Sequence, residues 1–210
     1  MRNHGEPAGG EDDWSSAHSG PQLFWAQLQQ EERLLSSISS SVLLSTDQHG
    51  RTALHKAASV GKRLLGYAIA KRMSALCRLD LRDCDGMTPL LYAAQNNHPL
   101  IVADLIYLGA DVNVKNMSGK TLLHLSAERG YIRVLQAVKC AMMCGVYVDV
   151  EATDEAGMSV LQCAVLSMKA SVCDSTSSSR VQDQMMETVE CLLQMDSYLH
   201  TTKGTSVGSY

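Results

Sequence analysis

Aromatic residues are scarce in this 210-residue chain, at 5%, with one Phe and two Trp. That excludes a core built on large rings and suits small helices packed closely on Leu, Ala, Val and Met. No apolar run approaches the roughly 18 residues that a membrane span needs. The first twenty residues, MRNHGEPAGGEDDWSSAHSG, lack the apolar segment of a secretory signal, so the chain is expected to stay in the cytosol or nucleus. The seven cysteines are odd in number and scattered, as free thiols of a reducing compartment would be. Cys140 and Cys144 lie one helical turn apart and can share a metal, but no second pair of ligands stands near them, so small core residues are the preferred reading. Neither a G-x-x-x-x-G-K-S/T nor a G-x-G-x-x-G loop is present. No nucleophile, base and acid stand at supporting spacing. The expectation is no enzyme, no cofactor and no metal.

What is present is a phrase that recurs. Thr52-Ala-Leu-His-Lys-Ala-Ala58 is followed by Thr88-Pro-Leu-Leu-Tyr-Ala-Ala94, by Thr121-Leu-Leu-His-Leu-Ser-Ala127 and, more loosely, by Ser159-Val-Leu-Gln-Cys-Ala-Val165. Each copy starts two residues after a glycine: Gly50, Gly86, Gly119 and Gly157, spaced by 36, 33 and 38 residues. The period and the T-P-L-H-x-A phrase resemble the ankyrin repeat. The fold class expected is therefore all-α: an ankyrin-repeat solenoid of about four helix-turn-helix repeats with hairpin loops, plus an N-terminal capping helix.

The expected division runs as follows. Residues 1–20, polar and rich in Gly, Ser, Glu and Asp, are read as a disordered leader. Residues 21–46 form the capping helix, with Pro21 in its first turn and an apolar stripe of Phe24, Leu28, Leu34, Leu35, Ile38 and Val42; a partner-binding helix is the alternative. Repeats cover 47–82, 83–115, 116–152 and 153–197. In the first, the second helix is read as long, continuing through Leu76. The third ends in extra residues, Cys144 to Val150. The fourth is split by a Ser-rich insertion at 171–183, read as a flexible loop open to phosphorylation or as a plain linker, with its second helix resuming at Gln184. Residues 198–210 are read as a tail with the stub of a fifth repeat.

His55 and His124 share one phrase position, where a histidine ties adjacent turns together through backbone bonds. Partner contacts are expected on the concave face, from hairpin tips and first helices. The tip residues are Asp47, Gln48, His49, Arg51, Asp83, Asp85, Met87, Asn116, Ser118 and Lys120. Along the first helices stand Lys56, Tyr92, Asn96, Asn97, Glu128 and Arg129, with Tyr92 and Arg129 as hot-spot types. The net charge of −4 conceals an asymmetry: residues 47–170 carry 14 basic and 11 acidic side chains, and the rest of the chain is acidic. The basic residues of the first repeat serve either as a solvated face or as a patch that meets acidic protein or DNA phosphate.

Four stretches go beyond a generic repeat: Arg78 to Leu91, Pro99 to Ala110, Val148 to Asp154 and Val189 to Met195. Together they resemble the atypical nuclear IκB family. The cap segment Leu23 to Leu35 looks most like the zeta type, and the second repeat more like the delta type. The resemblance implies a nuclear regulator that binds Rel-homology dimers of NF-κB, chiefly of subunits lacking their own activation domain. It implies contact with DNA only through the dimer, no membrane, and a monomer by itself. Its rivals are a cytoplasmic inhibitor that masks nuclear-import segments and a general ankyrin adaptor. Asp196-Ser197 departs from the family's Gly-Ala, and the tail from Thr201 to Tyr210 is expected to supply no closing helix. Leu192 and Leu193 are then expected to be exposed, in a chain read as short of the family's later repeats.

Overall fold

The computed structural model describes residues 19–173 and 179–204, with side chains over 22–170 and 179–200. Residues 1–18 of the expected leader, residues 174–178 of the expected serine loop and residues 205–210 lie outside the described residues. The architecture is the expected all-helical ankyrin solenoid. Among the described residues the extended pairing amounts to an isolated bridge between Thr153 and Ser159.

Each repeat starts from one local device. An Asp or Asn three residues before the phrase glycine accepts two backbone N–H groups across the turn. Asp47 Oδ1 takes those of His49 and Arg51 at 2.9 and 3.0 Å, and Asp83 Oδ1 takes those of Asp85 and Met87 at 3.0 and 2.8 Å. Asn116 and Asp154 do the same for their own turns. Successive tips are then joined by one backbone bond each: Cys84 N–H to His49 C=O, Met117 N–H to Asp85 C=O and Glu155 N–H to Ser118 C=O. Gly119 shows why the tip needs glycine. Its φ is +72°, and a Cβ there would stand 2.6 Å from the Glu155 nitrogen.

The threonines after these turns start the first helices, α3 (Ala53–Val60), α5 (Pro89–Gln95) and α7 (Leu122–Ala127). Thr88 Oγ1 accepts the Leu91 N–H at 3.3 Å, and Pro89 fills the first helical position. In the fourth copy Ser159 and Gln162 form the reciprocal cap of α9 (Val160–Cys173). The second helices α4 (Arg63–Ser74), α6 (Pro99–Tyr107), α8 (Ile132–Met143) and α10 (Ser179–Gly204) form an outer layer. Each inner helix packs on the next inner one, and each outer helix on the next outer one. Ala58, Ala93, Ala94 and Ala127 lie fully buried between them, the close approach that small residues permit.

The N-terminal helix α1 (Ser19–Ser36) packs on α4, and a one-turn helix α2 (Ser40–Leu43) follows it. Arg72 donates to the carbonyls of Leu35 and Ile38, satisfying the orphan end of α1. Lys71 reaches Glu32 at 2.8 Å. Leu28, Leu35 and Leu43 are buried, whereas Leu34 and Val42 are exposed, contrary to the single stripe expected. The break at Ser37–Ser39 resets the helical phase, so Leu43 rather than Val42 turns inward.

Three helix ends differ from expectation. Helix α4 stops at Ser74, not Leu76, because Cys77 adopts φ +54° and the Arg78 N–H returns to the Met73 carbonyl. That is the stop that Gly109 and Gly145 provide for α6 and α8. Helix α9 reaches Cys173 and α10 begins at Ser179, so helix occupies both flanks of the expected 171–183 loop. Helix α10 also runs through Asp196-Ser197 to Gly204, since no glycine ends it earlier. The added turns bring Tyr198 and Leu199 against the core, and Leu192 is buried where exposure was expected; Leu193 is exposed as expected.

Candidate functional site

The two phrase histidines are tie-bars between repeats. His55 Nδ1 accepts the Thr52 N–H at 3.0 Å and stands 2.8 Å from the Thr52 hydroxyl; its Nε2 stands 3.2 Å from the Met87 carbonyl of the next repeat. His124 repeats the pattern with Thr121 and Met158. A backbone N–H can only donate and a carbonyl can only accept, so each ring is neutral with its proton on Nε2. Burial is the main cause holding both pKa values below the ordinary 6.5. Neither ring is available for catalysis or for a metal.

The tips and inner helices line one face, and the structure sorts the candidate residues on it. Met87 is buried, its sulfur 3.7 Å from Asn116 Nδ2, so the expectation that its side chain meets a partner is corrected. Asp83 is buried too, and its Oδ2 accepts the Tyr92 hydroxyl at 2.7 Å. Burial and that bond push the Tyr92 pKa up to about 12. Tyr92 therefore presents a ring edge while its polar end stays inside. Asn116 spends its side-chain oxygen on its own turn. Asp47 does likewise, and the turn N–H of Arg51 is the largest cause of a carboxyl pKa well below the usual range.

The remaining candidates stay available. His49, Lys56, Asp85, Asn96, Asn97 and Arg129 are exposed, and Arg51 and Lys120 are half-buried. Lys56 pairs with Asp47 at 3.1 Å and Lys120 with Glu128 at 2.5 Å. Arg51 Nε lies shielded from solvent without a hydrogen-bond partner, 3.9 Å from Asp47 Oδ2. Arg129 donates to the Gln95 carbonyl at 2.6 Å, which braces its guanidinium across two repeats. Asn97 sits at φ +58° in the turn between α5 and α6, where the flanking repeats have Gly61 and Gly130. Sequence reasoning missed the exposed row Cys84, Met117 and Glu155, although each stands two residues before a phrase glycine, as Gln48 does.

Toward a metal, Cys140 and Cys144 are both exposed, not core residues as preferred above. Glu151, Asp196 and His200 bring three ligand-type atoms within 4.8 Å of one another at the surface, with His200 3.6 Å from Asp196 one helical turn away. Among the described residues no helix is long and apolar enough to cross a membrane.

A family model for ankyrin repeats in three copies matches residues 32–116. NF-kappa-B inhibitor zeta of Bos taurus is 39% identical over 193 residues, covering 86% of this chain and 27% of the relative. NF-kappa-B inhibitor delta of Mus musculus is 41% identical over 158 residues, covering 73% of this chain and 47% of the relative. The delta protein of Homo sapiens is 35% identical over 191 residues, covering 86% and 60%. The chain thus spans about a quarter of the zeta relative and about half of the delta relatives. These relatives are named for inhibition of NF-kappa-B and not for a reaction. With four stacked ankyrin repeats built on one turn, the chain is similar to the zeta and delta NF-kappa-B inhibitors over most of its length.

Proposed function

We propose that the chain is a nuclear IκB-like regulator that grips Rel-homology dimers of NF-κB and modulates transcription of inflammatory and immune genes. The observation that carries this reading is the likeness to NF-kappa-B inhibitors over more than four-fifths of the chain. The gripping surface is the face of tips and inner helices, with Arg51, Lys56, Lys120 and Arg129 as its cations and the Tyr92 ring edge among them. The preferred dimers are those of subunits without an activation domain. A mildly basic array over residues 47–170 suits a protein that sits beside a DNA-bound dimer, since phosphate repels acid and tolerates base. Contact with DNA runs through the dimer, and the chain alone is a monomer.

The test is a pull-down of the tagged chain on κB-site DNA with and without purified Rel-homology dimers. Recovery only when the dimer is present is expected. No binding to any such dimer sinks the proposal, and recovery on DNA alone overturns its indirect contact. Imaging of the tagged chain checks the location; steady exclusion from the nucleus would assign it to the cytoplasm instead.

A further inference from the structure

A groove of about 500 Å³ opens on the outer layer, between α6 and α8 at the end where those helices begin. Its floor is apolar: Pro99, Leu100, Ile101 and Ala137, with Leu100 58% exposed. Its rim is basic. Arg133 is exposed there and no partner is found for it among the described residues. Arg63 is already neutralised by Asp104, at 2.7 and 3.0 Å, and His98 is held by the Ser59 carbonyl. The site therefore keeps one free charge, positive, beside a bare leucine.

The direction of α1 says what lies within reach. Phe24 packs under the Arg63 guanidinium, 4.8 Å from ring centroid to Cζ, and Glu32 meets Lys71 about two turns further along the same two helices. Thus α1 runs parallel to α4, and its N-terminus projects past Arg63, a residue of the groove's own rim. The chain before Ser19 reads Glu11-Asp12-Asp13-Trp14-Ser-Ser-Ala-His18. Trp14 lies five residue steps before Ser19, and extended chain covers at most about 17 Å over that length. One indole, the largest apolar side chain in the protein, stands there directly after three carboxylates.

We propose that the segment 11–14 of this same chain docks in the α6–α8 groove, with the Trp14 ring on Leu100 and Ala137 and its acidic run facing Arg133. Three observations meet in this occupant: charge of the opposite sign, an aromatic ring for an apolar floor, and a tether that starts at the groove's edge. The docked segment covers an outer face and leaves the concave face of tips and inner helices open.

The test uses the full chain carrying Trp25→Phe, which leaves Trp14 as its one tryptophan. Acrylamide quenching of Trp14 is expected to be at least threefold weaker than in a free peptide of residues 1–18. Leu100→Lys and Arg133→Glu, each on an exposed position, should each restore peptide-like quenching, with far-UV dichroism reporting that the fold is kept. Quenching equal to the peptide's from the start overturns the proposal. So does protection that both groove variants leave intact, which places Trp14 elsewhere. Protection that disappears on dilution assigns the groove to a second copy and overturns docking within one chain.

Discussion

Replacing His55 with alanine should cost as much as truncating a fully buried leucine of the array. The ring is fully buried, and its loss strips a partner from the Thr52 N–H and from the Met87 carbonyl, both in buried surroundings. A buried polar group left unpaired costs about 1–3 kcal/mol. Two such groups and the vacated ring volume bring the expected loss to about 3–5 kcal/mol. That is a large part of the roughly 5–15 kcal/mol by which a domain is stable. His55→Gln should cost only about 1–2 kcal/mol, because a glutamine at this position can still cap the helix. Gln162 does so in the fourth repeat, taking the Ser159 N–H at 2.9 Å, and the change loses the reach to Met87 alone. The same geometry sets a pH dependence. Burial lowers the native pKa of both histidines below 6.5, so beneath that pH the unfolded chain binds protons that the folded chain refuses. Stability is complete above pH 6.5 and falls as pH drops, by up to about 1.4 kcal/mol per pH unit for each histidine. Urea unfolding from pH 7.5 to 5 measures all of this, and the double variant His55→Gln, His124→Gln should flatten the acid limb. A His55→Ala loss below about 1 kcal/mol, or an acid limb unchanged in the double variant, would refute the tie-bar reasoning.

Four further outcomes are expected. Tyr92→Phe leaves Asp83 Oδ2 without its donor and should lower stability by about 1–2 kcal/mol in urea titration. Cys77→Gly relieves a left-handed non-glycine residue and should raise stability by about 0.5–1 kcal/mol by the same assay. Gly119→Ala meets the Glu155 backbone at 2.6 Å, whereas Gly157→Ala meets nothing within 4 Å, so thermal melting should fall much further for the first than for the second. Lys56→Glu with Arg129→Glu breaks the Asp47 and Gln95 contacts and should lower the melting temperature by only about a few degrees, yet weaken binding to a Rel-homology dimer at least tenfold in a titration at a temperature where the fold is kept; equal affinity would remove these two cations from the gripping surface.

Helix starts were legible because every signal for them is local. Thr88-Pro89 carries its cap and its first-turn proline side by side, and Thr52 and His55 are one turn apart. Which tip residues are spent inside the molecule was not legible, since the decisive partners lie a repeat away. His55 reaches Met87 across 32 positions, and that link together with the Asn116 contact takes Met87 off the binding surface. Stops were harder than starts. Cys77 ends α4 in a role that composition assigns to glycine, and the absence of glycine at Asp196-Ser197 lets α10 continue although the family pattern marks an end there. The groove on α6 and α8 is assembled from two repeats and leaves no trace in either one's sequence alone.

The bonds between hairpin tips give the array a head and a tail. At every junction the residue two before the glycine donates backward to the residue one before the previous glycine. Gln48 has no such predecessor among the described residues, and Ala156 has no such successor. The row thus runs in one sense from end to end, each later tip donating to the tip before it.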